Sequence, residues 1–313
     1  MNLEQVRALA AIVDTGSFEL AARALHLTPS AVSQRVRALE SSVGQVVVRR
    51  THPCTATQAG AVLVRLARQV ELLEEESHDL LGMTREAPVA LRIAINADSL
   101  DSWLVGLIDS AAGWDDTRLR FAIAAEDHTL ALLRQGEVAA AVTTESEAVP
   151  GCRAFPLGVM RYLPVASPSL AARFALSGGA IDWEGMPVLG YDDHDDLQEL
   201  FLAARGWATS SPAAQIPSVP GLKSALLAGM GWLLLPESTV GDDLAEGRLV
   251  ALSDEVVDVV LHWHVWKVHS RRLERLNDAV VQAAQAGLRP VRTRTHVPHV
   301  RQTRSLVGVP EGM

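Results

Sequence analysis

The stretch SFELAARALHLTPSAVSQRVRALE, residues 17–40, decides the fold of the first part of this chain. Ser17 and Thr28 are good helix N-caps, and Pro29 takes a first helical position, where its missing N–H costs nothing. Apolar residues recur every three or four positions from residue 32 to residue 43, and Gly44 then gives a stop signal. The pattern predicts two short helices joined by a tight turn.

The second of these helices carries polar side chains opposite its apolar edge. Gln and Arg side chains can make paired hydrogen bonds to base edges in the DNA major groove, whereas Ser and Thr hydroxyls bind phosphates. We therefore predict a helix-turn-helix that reads double-stranded DNA. A surface helix pair in an ordinary all-α domain has the same spacing. The DNA-binding candidates in this stretch are Ser17, Thr28, Pro29, Ser30, Ser33, Gln34, Arg35 and Arg37.

A short β-branched run, residues 46–48, precedes Arg49 and Arg50. This order predicts one strand of a wing and its tip, whose two arginines would contact the phosphate backbone or the minor groove. The alternative is a solvated basic loop. Arg49 and Arg50 complete the DNA-binding candidates.

Residues 3–60 resemble the N-terminal winged helix-turn-helix of LysR-type transcriptional regulators. The resemblance implies binding to promoter or operator DNA, with RNA polymerase as a further partner. It rests on the segments Gly16-Ser17-Phe18, Ala21-Ala22, Thr28-Pro29-Ser30-Ala31-Val32-Ser33, Leu39-Glu40, Gly44 and Thr57-x-x-Gly60.

Length and composition restrict the class of protein. The chain has 313 residues, 48% of them apolar, which is enough for two or three domains with real cores. Neither a signal peptide nor an unbroken apolar run of about 18 residues occurs, so we expect a soluble, cytoplasmic protein with no membrane partner. Cys54 and Cys152 fit neither a disulfide framework nor a metal spacing.

Charge is distributed unevenly along the chain. Residues 1–68 hold eight arginines and four acidic residues, a balance of +4, and because the whole chain carries −9, the remainder carries −13. A basic head joined to an acidic remainder fits a DNA-binding domain attached to a separate sensor.

Thr57 is a good N-cap for a long helix from Gln58 to about Leu81. Its apolar stripe is too narrow to be buried in a small domain, and pairing with a second copy explains it best. We therefore expect a homodimer, with a homotetramer as the alternative, which presents two recognition helices to a two-fold-related DNA site. The stripe consists of Leu63, Leu66, Val70, Leu73, Ser77 and Leu80.

After residue 88 the pattern changes to strands that alternate with helices, which predicts βαβαβ units with parallel sheets. Two crossing segments, near residues 161–166 and 258–268, predict two lobes with a cleft between them, as in periplasmic binding proteins. We thus predict an α/β protein with a winged helix-turn-helix (1–58), a linker and dimerisation helix with a hinge (59–87), a two-lobe effector domain (88–287) and a basic, disordered tail (288–313). Lobe I would comprise residues 88–160 and 265–287, and lobe II residues 161–264.

Polar residues follow several predicted strands, where ligands bind in open α/β sheets. A helix that begins near Asn96 offers N–H groups and a hydroxyl to a carboxylate, although Asp98 or Ser99 could simply cap that helix. An acidic run after residue 191 faces this loop across the cleft, although solvent would also balance such acids. These features favour a ligand with a carboxylate and an extra positive charge, such as lysine or arginine. The effector-binding candidates are Asn96, Asp98, Ser99, Asp127, Thr143, Asp192 and Asp193.

The chain also resembles the ArgP/LysG branch of the LysR-type regulators over most of residues 1–287. The matching segments are residues 69–76, residues 95–100, the Asp-rich run from Asp192, and His262-Trp263-His264. The resemblance implies sensing of lysine or arginine and activation of a gene for a basic amino acid exporter. His262 and His264 share a strand face, but two histidines alone favour packing over a metal site.

Two other functions stay open at this point. An enzyme with an accessory DNA-binding domain would need a nucleophile–base pair, a phosphate loop or a metal spacing, and the sequence contains none of these; we expect no catalytic residue, cofactor or metal. An architectural DNA-binding protein, such as an inhibitor of replication initiation, would bind DNA without small-molecule control. It would leave the predicted cleft unused.

Overall fold

A computed structural model of the protein describes residues 1–83, 88–124, 126–208 and 212–291, except for the side chains of residues 126 and 127. The DNA-binding candidates lie in a small helical head. Its elements are α1 (Leu3–Thr15), α2 (Phe18–Ala24), α3 (Pro29–Val43), β1 (Val48–Arg49) and β2 (Thr55–Ala56).

The ends of α2 and α3 lie where the cap residues predict. The Ser17 hydroxyl accepts the N–H groups of Glu19 and Leu20, and the Thr28 hydroxyl accepts the N–H of Ala31 at 3.2 Å. Gly44 ends α3 with a φ of 72°, a left-handed conformation that glycine adopts at no steric cost. The apolar edges of α1, α2 and α3 pack into one core. The predicted helix-turn-helix is confirmed.

The wing is shorter than predicted. Only Val48 and Arg49 pair with Thr55 and Ala56. The two preceding valines do not join the strand, because the carbonyl groups of Val46 and Val47 accept the hydroxyl and the N–H of Thr57 instead. Thr57 thus ties the wing to the first turn of the next helix.

That next helix, α4 (Gln58–Leu80), is 23 residues long and begins at its predicted cap. Gly60 lets it approach the wing: a Cβ at this position would overlap the carbonyl oxygen of Val47 and lie 2.8 Å from its carbonyl carbon. Part of the predicted stripe stays exposed in the single chain, including Leu66, Leu73 and Leu80.

The effector domain begins with parallel strands. β3 pairs with β4 and β5 in parallel, as the βαβαβ pattern predicts, and β5 then pairs with β11 antiparallel. The elements are β3 (Val89–Ile95), α5 (Ala97–Leu100), α6 (Val105–Ala111), β4 (Thr117–Ile123), α7 (Glu126–Arg134), β5 (Ala140–Thr143) and β6 (Cys152–Ala166).

The remaining elements form the second lobe and return the chain to the first. They are α8 (Pro168–Arg173), β7 (Leu189–Gly190), α9 (Leu197–Ala203), β8 (Ala214–Gln215), α10 (Val219–Leu227), β9 (Leu233–Pro236), α11 (Glu237–Ala245), β10 (Val250–Ala251), β11 (Val257–Trp266) and α12 (Arg271–Gly287). The long strands β6 and β11 run antiparallel and connect the two lobes, in the regions predicted to cross. The second lobe differs from a repeat of the first, because β9 and β10 pair antiparallel with the end of β6.

The last described residues belong to the folded domain. Leu288 packs against the core of the effector domain, and Arg289 exchanges two backbone hydrogen bonds with Val159. These two residues therefore do not belong to the predicted tail, because strand-like pairing with β6 holds them. Residues 292–313, the larger part of that tail, lie outside the described residues.

Candidate DNA-binding and effector sites

Helix α3 presents Ser30, Gln34 and Arg37 to solvent, whereas Ser33 is partly buried. Thr28 and Pro29 form the first turn, and the Thr28 and Ser30 hydroxyls are 3.0 Å apart. The side chains best placed to reach base edges are therefore those of Gln34 and Arg37.

Arg35 differs from the other α3 candidates. Its guanidinium forms an ion pair with the carboxylate of Glu4 on α1, at 3.0 Å. This contact keeps the guanidinium beside α1, so Arg35 holds α3 against its neighbour.

The wing arginines are exposed next to the first turn of α2. The Arg50 guanidinium carbon is 4.9 Å from the centre of the Phe18 ring, a cation–π contact. A backbone hydrogen bond also connects the wing to the turn between α1 and α2, since the N–H of Cys54 donates to the carbonyl of Gly16 at 2.8 Å. Arg49, Arg50 and the Ser17 cap thus lie on adjoining parts of the head.

The first effector candidates follow strand β3. The side chain of Asn96 caps α5 by accepting the N–H of Ser99 at 3.2 Å, so Asn96 takes the capping role that the alternative interpretation gave to Asp98 or Ser99. Ser99 is fully buried, and its hydroxyl has no hydrogen-bond partner among the described residues. A buried hydroxyl without a partner is costly, and a bound polar group would remove that cost.

Asp98 is held by a residue that the sequence analysis did not select. The Tyr162 hydroxyl, on the crossing strand β6, donates to Asp98 Oδ2 at 2.9 Å. Tyr162 is buried and is one of only two tyrosines in the chain. The sequence gives no signal for this contact, because it depends on how the fold places β6 next to α5.

The remaining candidates divide between the two lobes. Thr143 is buried, and its hydroxyl accepts the N–H of Glu145 at 3.3 Å. In the second lobe Asp192 accepts the N–H of His194 at 2.8 Å, and Asp193 accepts from the amide of Gln215 at 2.9 Å. The side chain of Asp127 lies outside the described residues.

The two lobes meet around Tyr191. Burial raises the pKa of the Tyr191 phenol, and the carboxylates of Asp192, Asp101 and Asp98 raise it further. Two of these acids come from the first lobe, and Asp192 comes from the second. Carboxylates of both lobes therefore act electrostatically on one phenol, and Asp101 joins the candidates predicted from sequence.

A second contact also spans the lobes. The rings of His128 on α7 and His194 in the acidic loop meet edge to face, with centroids 5.9 Å apart. The neighbouring Asp195 is directed inward, where it accepts the N–H of Tyr191 and the amide of Gln198, and burial raises its pKa.

His262 and His264 are packed on β11 below the cleft. Burial lowers the pKa of both imidazoles, and Nε2 of His264 lies 2.7 Å from the carbonyl oxygen of Glu145. Within the described residues no group of three or more His, Cys, Asp or Glu side chains could hold a metal ion.

Comparison with known proteins identifies this architecture. Residues 3–61 match the family described as "Bacterial regulatory helix-turn-helix protein, lysR family", and residues 88–289 match the "LysR substrate binding domain". The chain belongs to the LysR family of transcriptional regulators. It is 46% identical to the "Lysine export transcriptional regulatory protein LysG" of Corynebacterium efficiens, over 92% of this chain and all of that one.

Two solved structures of LysR-family regulators are similar over nearly the whole chain. Full-length LysG of Corynebacterium glutamicum with the bound effector Arg is 44% identical, with a TM-score of 0.80, and covers 93% of this chain and 100% of its own. ArgP of Mycobacterium tuberculosis is 42% identical, with a TM-score of 0.82, and the match covers 91% of this chain and 98% of that one. Among the described residues of this LysR-family chain, no helix is long and apolar enough to cross a membrane.

Proposed function

We propose that this LysR-family regulator binds arginine or lysine between its lobes and, in response, controls a gene for export of basic amino acids, acting as an activator in the cytoplasm. The observation that carries the proposal is the acidic character of the cleft, where the rings of His128 and His194 bring the lobes together and the carboxylates of Asp98, Asp101 and Asp192 all raise the pKa of Tyr191. A guanidinium or ammonium group would balance these charges. The relatives support the same ligand class, since one was solved with the effector Arg and another is named for lysine export.

The α-carboxylate of the effector would bind at Ser99 in α5, next to the carboxylates that would balance its positive groups. The buried, unpartnered hydroxyl of Ser99 is the donor that supports this placement, and Asn96 and Thr143 lie on the adjoining strand ends. Asp127 and Asp193 stay candidates for the periphery of the site. An architectural DNA-binding protein would leave both Ser99 and the carboxylates without a role.

DNA binding would use Gln34 and Arg37 for base edges, with Ser30, Ser33, Arg49 and Arg50 on the phosphate backbone. Ser17, Thr28 and Pro29 would position the helices, and Arg35 would leave Glu4 if it contacts DNA. The exposed leucines of α4 support assembly as a homodimer, or as a tetramer of paired dimers, which RNA polymerase would meet at the promoter.

A ligand screen tests the proposal. In a thermal-shift assay of the full-length protein with each of the twenty amino acids, arginine or lysine should raise the melting temperature most. Isothermal titration of the Asp192→Asn variant should then show affinity reduced about tenfold, since a hydrogen bond to a charged group contributes about 1.5 kcal/mol. Asp254→Asn, at an exposed loop position, should bind like the wild type. Equal shifts with neutral or acidic amino acids would contradict the proposed ligand class.

A further inference from the structure

The first half of α4 packs directly against the backbone of the first lobe. Gly136, which follows α7, has a φ of 73°, and a Cβ there would lie 2.5 Å from Cα of Arg65 and 2.9 Å from its backbone nitrogen. Gly151 has a φ of 76°, and a Cβ there would overlap the guanidinium of Arg65. Both positions therefore favour glycine for their positive φ, and Gly136 also needs it for space, because its neighbours are Cβ and backbone atoms of Arg65.

Two arginines of α4 bind the carbonyl groups exposed by this close approach. Arg65 Nη2 donates to the carbonyl of Pro150 at 2.7 Å, and Arg68 Nη1 donates to the carbonyl of Gly136. We call this contact of Arg65 and Arg68 with Gly136, Pro150 and Gly151 the α4 joint.

The α4 joint also reaches the DNA-binding head. The other terminal nitrogen of Arg68 forms an ion pair with Asp14, near the end of α1, and the Arg68 side chain is only 12% exposed. Arg92, on strand β3, approaches the same Asp14 oxygen at 3.5 Å. One carboxylate of the head thus interacts with the linker helix and with the effector domain together.

The elements that meet at the joint lead to the effector site. Helix α7 ends just before Gly136, and His128 near its other end meets His194 of the second lobe. Strand β3 carries Arg92 and ends just before Asn96 and Ser99. A change in the separation of the lobes would therefore reach the joint through one helix and one strand.

The second half of α4 is held separately. Arg272 of α12 is 2% exposed and pairs with Glu76 at 3.2 Å, Asp79 at 2.6 Å and Asp116 at 3.2 Å. Residues 65–68 and 76–79 lie about 16 Å apart along the helix at 1.5 Å per residue. Because the first lobe holds α4 at both places, a shift of the elements of that lobe should be transmitted to the helix.

We infer that Arg65 and Arg68 are positioning residues that transmit effector binding to the DNA-binding head. Closure of the second lobe on the effector would shift α7 and β3, and the α4 joint would convert that shift into a changed orientation of α1 and the recognition helix. The inference rests on the proposed function, because it needs an effector that acts on the cleft. It goes beyond that function by naming the residues through which effector binding would reach the DNA-binding head.

The test separates ligand binding from transmission. A DNA fragment is first selected with the wild-type protein from a random-sequence pool. Effector affinity is then measured by calorimetry, and DNA affinity is measured by fluorescence anisotropy with and without saturating arginine or lysine. The variants are Gly136→Ala and Arg68→Met. Their matched controls are Gly113→Ala, where a Cβ would meet nothing within 4 Å, and Arg118→Met, an exposed arginine with no ion pair to another described residue.

In the wild type and both controls we expect the effector to change DNA affinity about 5-fold or more. In Gly136→Ala and Arg68→Met this ratio should fall close to 1, while effector affinity and effector-free DNA affinity each stay within about 3-fold of the wild type. Arg68→Lys should restore part of the ratio, because an ammonium can still pair with Asp14. A wild-type ratio in both joint variants would overturn the inference.

Failure of the proposed function would look different, because the wild type itself would then neither bind nor respond to a basic amino acid. Hydrogen exchange, measured without effector, tests whether the α4 joint holds the helix rigidly. Backbone amides of α4 near Arg65 should exchange about tenfold faster in Gly136→Ala than in Gly113→Ala. Equal exchange would show that the contact does not hold the helix.

Discussion

Gly60 has the least space for a side chain of the glycines in the head, because α4 passes against the wing at this position. We expect Gly60→Ala to lower the free energy of unfolding by about 2–4 kcal/mol, since either the helix or the wing must move. Urea denaturation followed by circular dichroism measures this. The control is Gly241→Ala, in α11, where a Cβ would meet nothing within 4 Å; it should be neutral or stabilising by up to about 1 kcal/mol. Equal effects of the two substitutions would contradict the close approach.

Residue identity also decides how the recognition helix reads DNA. If the proposed roles hold, Gln34→Ala and Arg37→Ala should each weaken binding to the selected DNA fragment by about 1–3 kcal/mol, because each would remove contacts to a base edge. Binding to unrelated DNA should change far less for Gln34→Ala. The control is Gln45→Ala, an exposed glutamine beyond the end of α3. Unchanged specific binding in both variants would refute their assignment to the base edges.

Among the elements, α4 leaves apolar side chains exposed to solvent in the single chain. Leu66 is 37% exposed and Leu73 is 43% exposed, on a helix whose other faces pack against the head and the first lobe. We expect Leu66→Asp and Leu73→Asp to shift the protein toward monomer in sedimentation velocity, because each would bury a carboxylate in an apolar seam. His78→Asp lies five residues beyond Leu73, on another face, and should stay dimeric. A wild-type sedimentation profile for both leucine variants would mean that α4 pairs elsewhere.

The helices of the head could be predicted from sequence because their signals are local. Ser17, Thr28 and Gly44 each act within one turn of helix, and each lies where the caps predict. The antiparallel pairing of β6 with β9 and β11 could not be predicted, since it joins residues 68 to 114 positions apart. The same reason applies to the candidate effector site: Asn96, Ser99 and Asp192 follow strands and could be selected, whereas Tyr162 reaches Asp98 from 64 positions away.

At the scale of the whole molecule, the charge distribution distinguishes the DNA-binding head from the effector domain. The basic head can meet DNA, while in the acidic remainder carboxylates of both lobes raise the pKa of Tyr191. The α4 joint and the pairs around Arg272 connect these parts without a long free linker in the described residues. In the proposed mechanism, a ligand that favours one lobe separation would change the orientation of the head.

The most direct test is the affinity of the full-length protein for its selected DNA fragment, measured by fluorescence anisotropy with arginine, lysine or glutamate. Glutamate has the same α-amino and α-carboxylate groups but the opposite side-chain charge. We predict that arginine or lysine changes the dissociation constant about 5-fold or more and that glutamate leaves it unchanged. An unchanged dissociation constant with both basic amino acids, or an equal change with glutamate, would contradict control of this regulator by a basic amino acid.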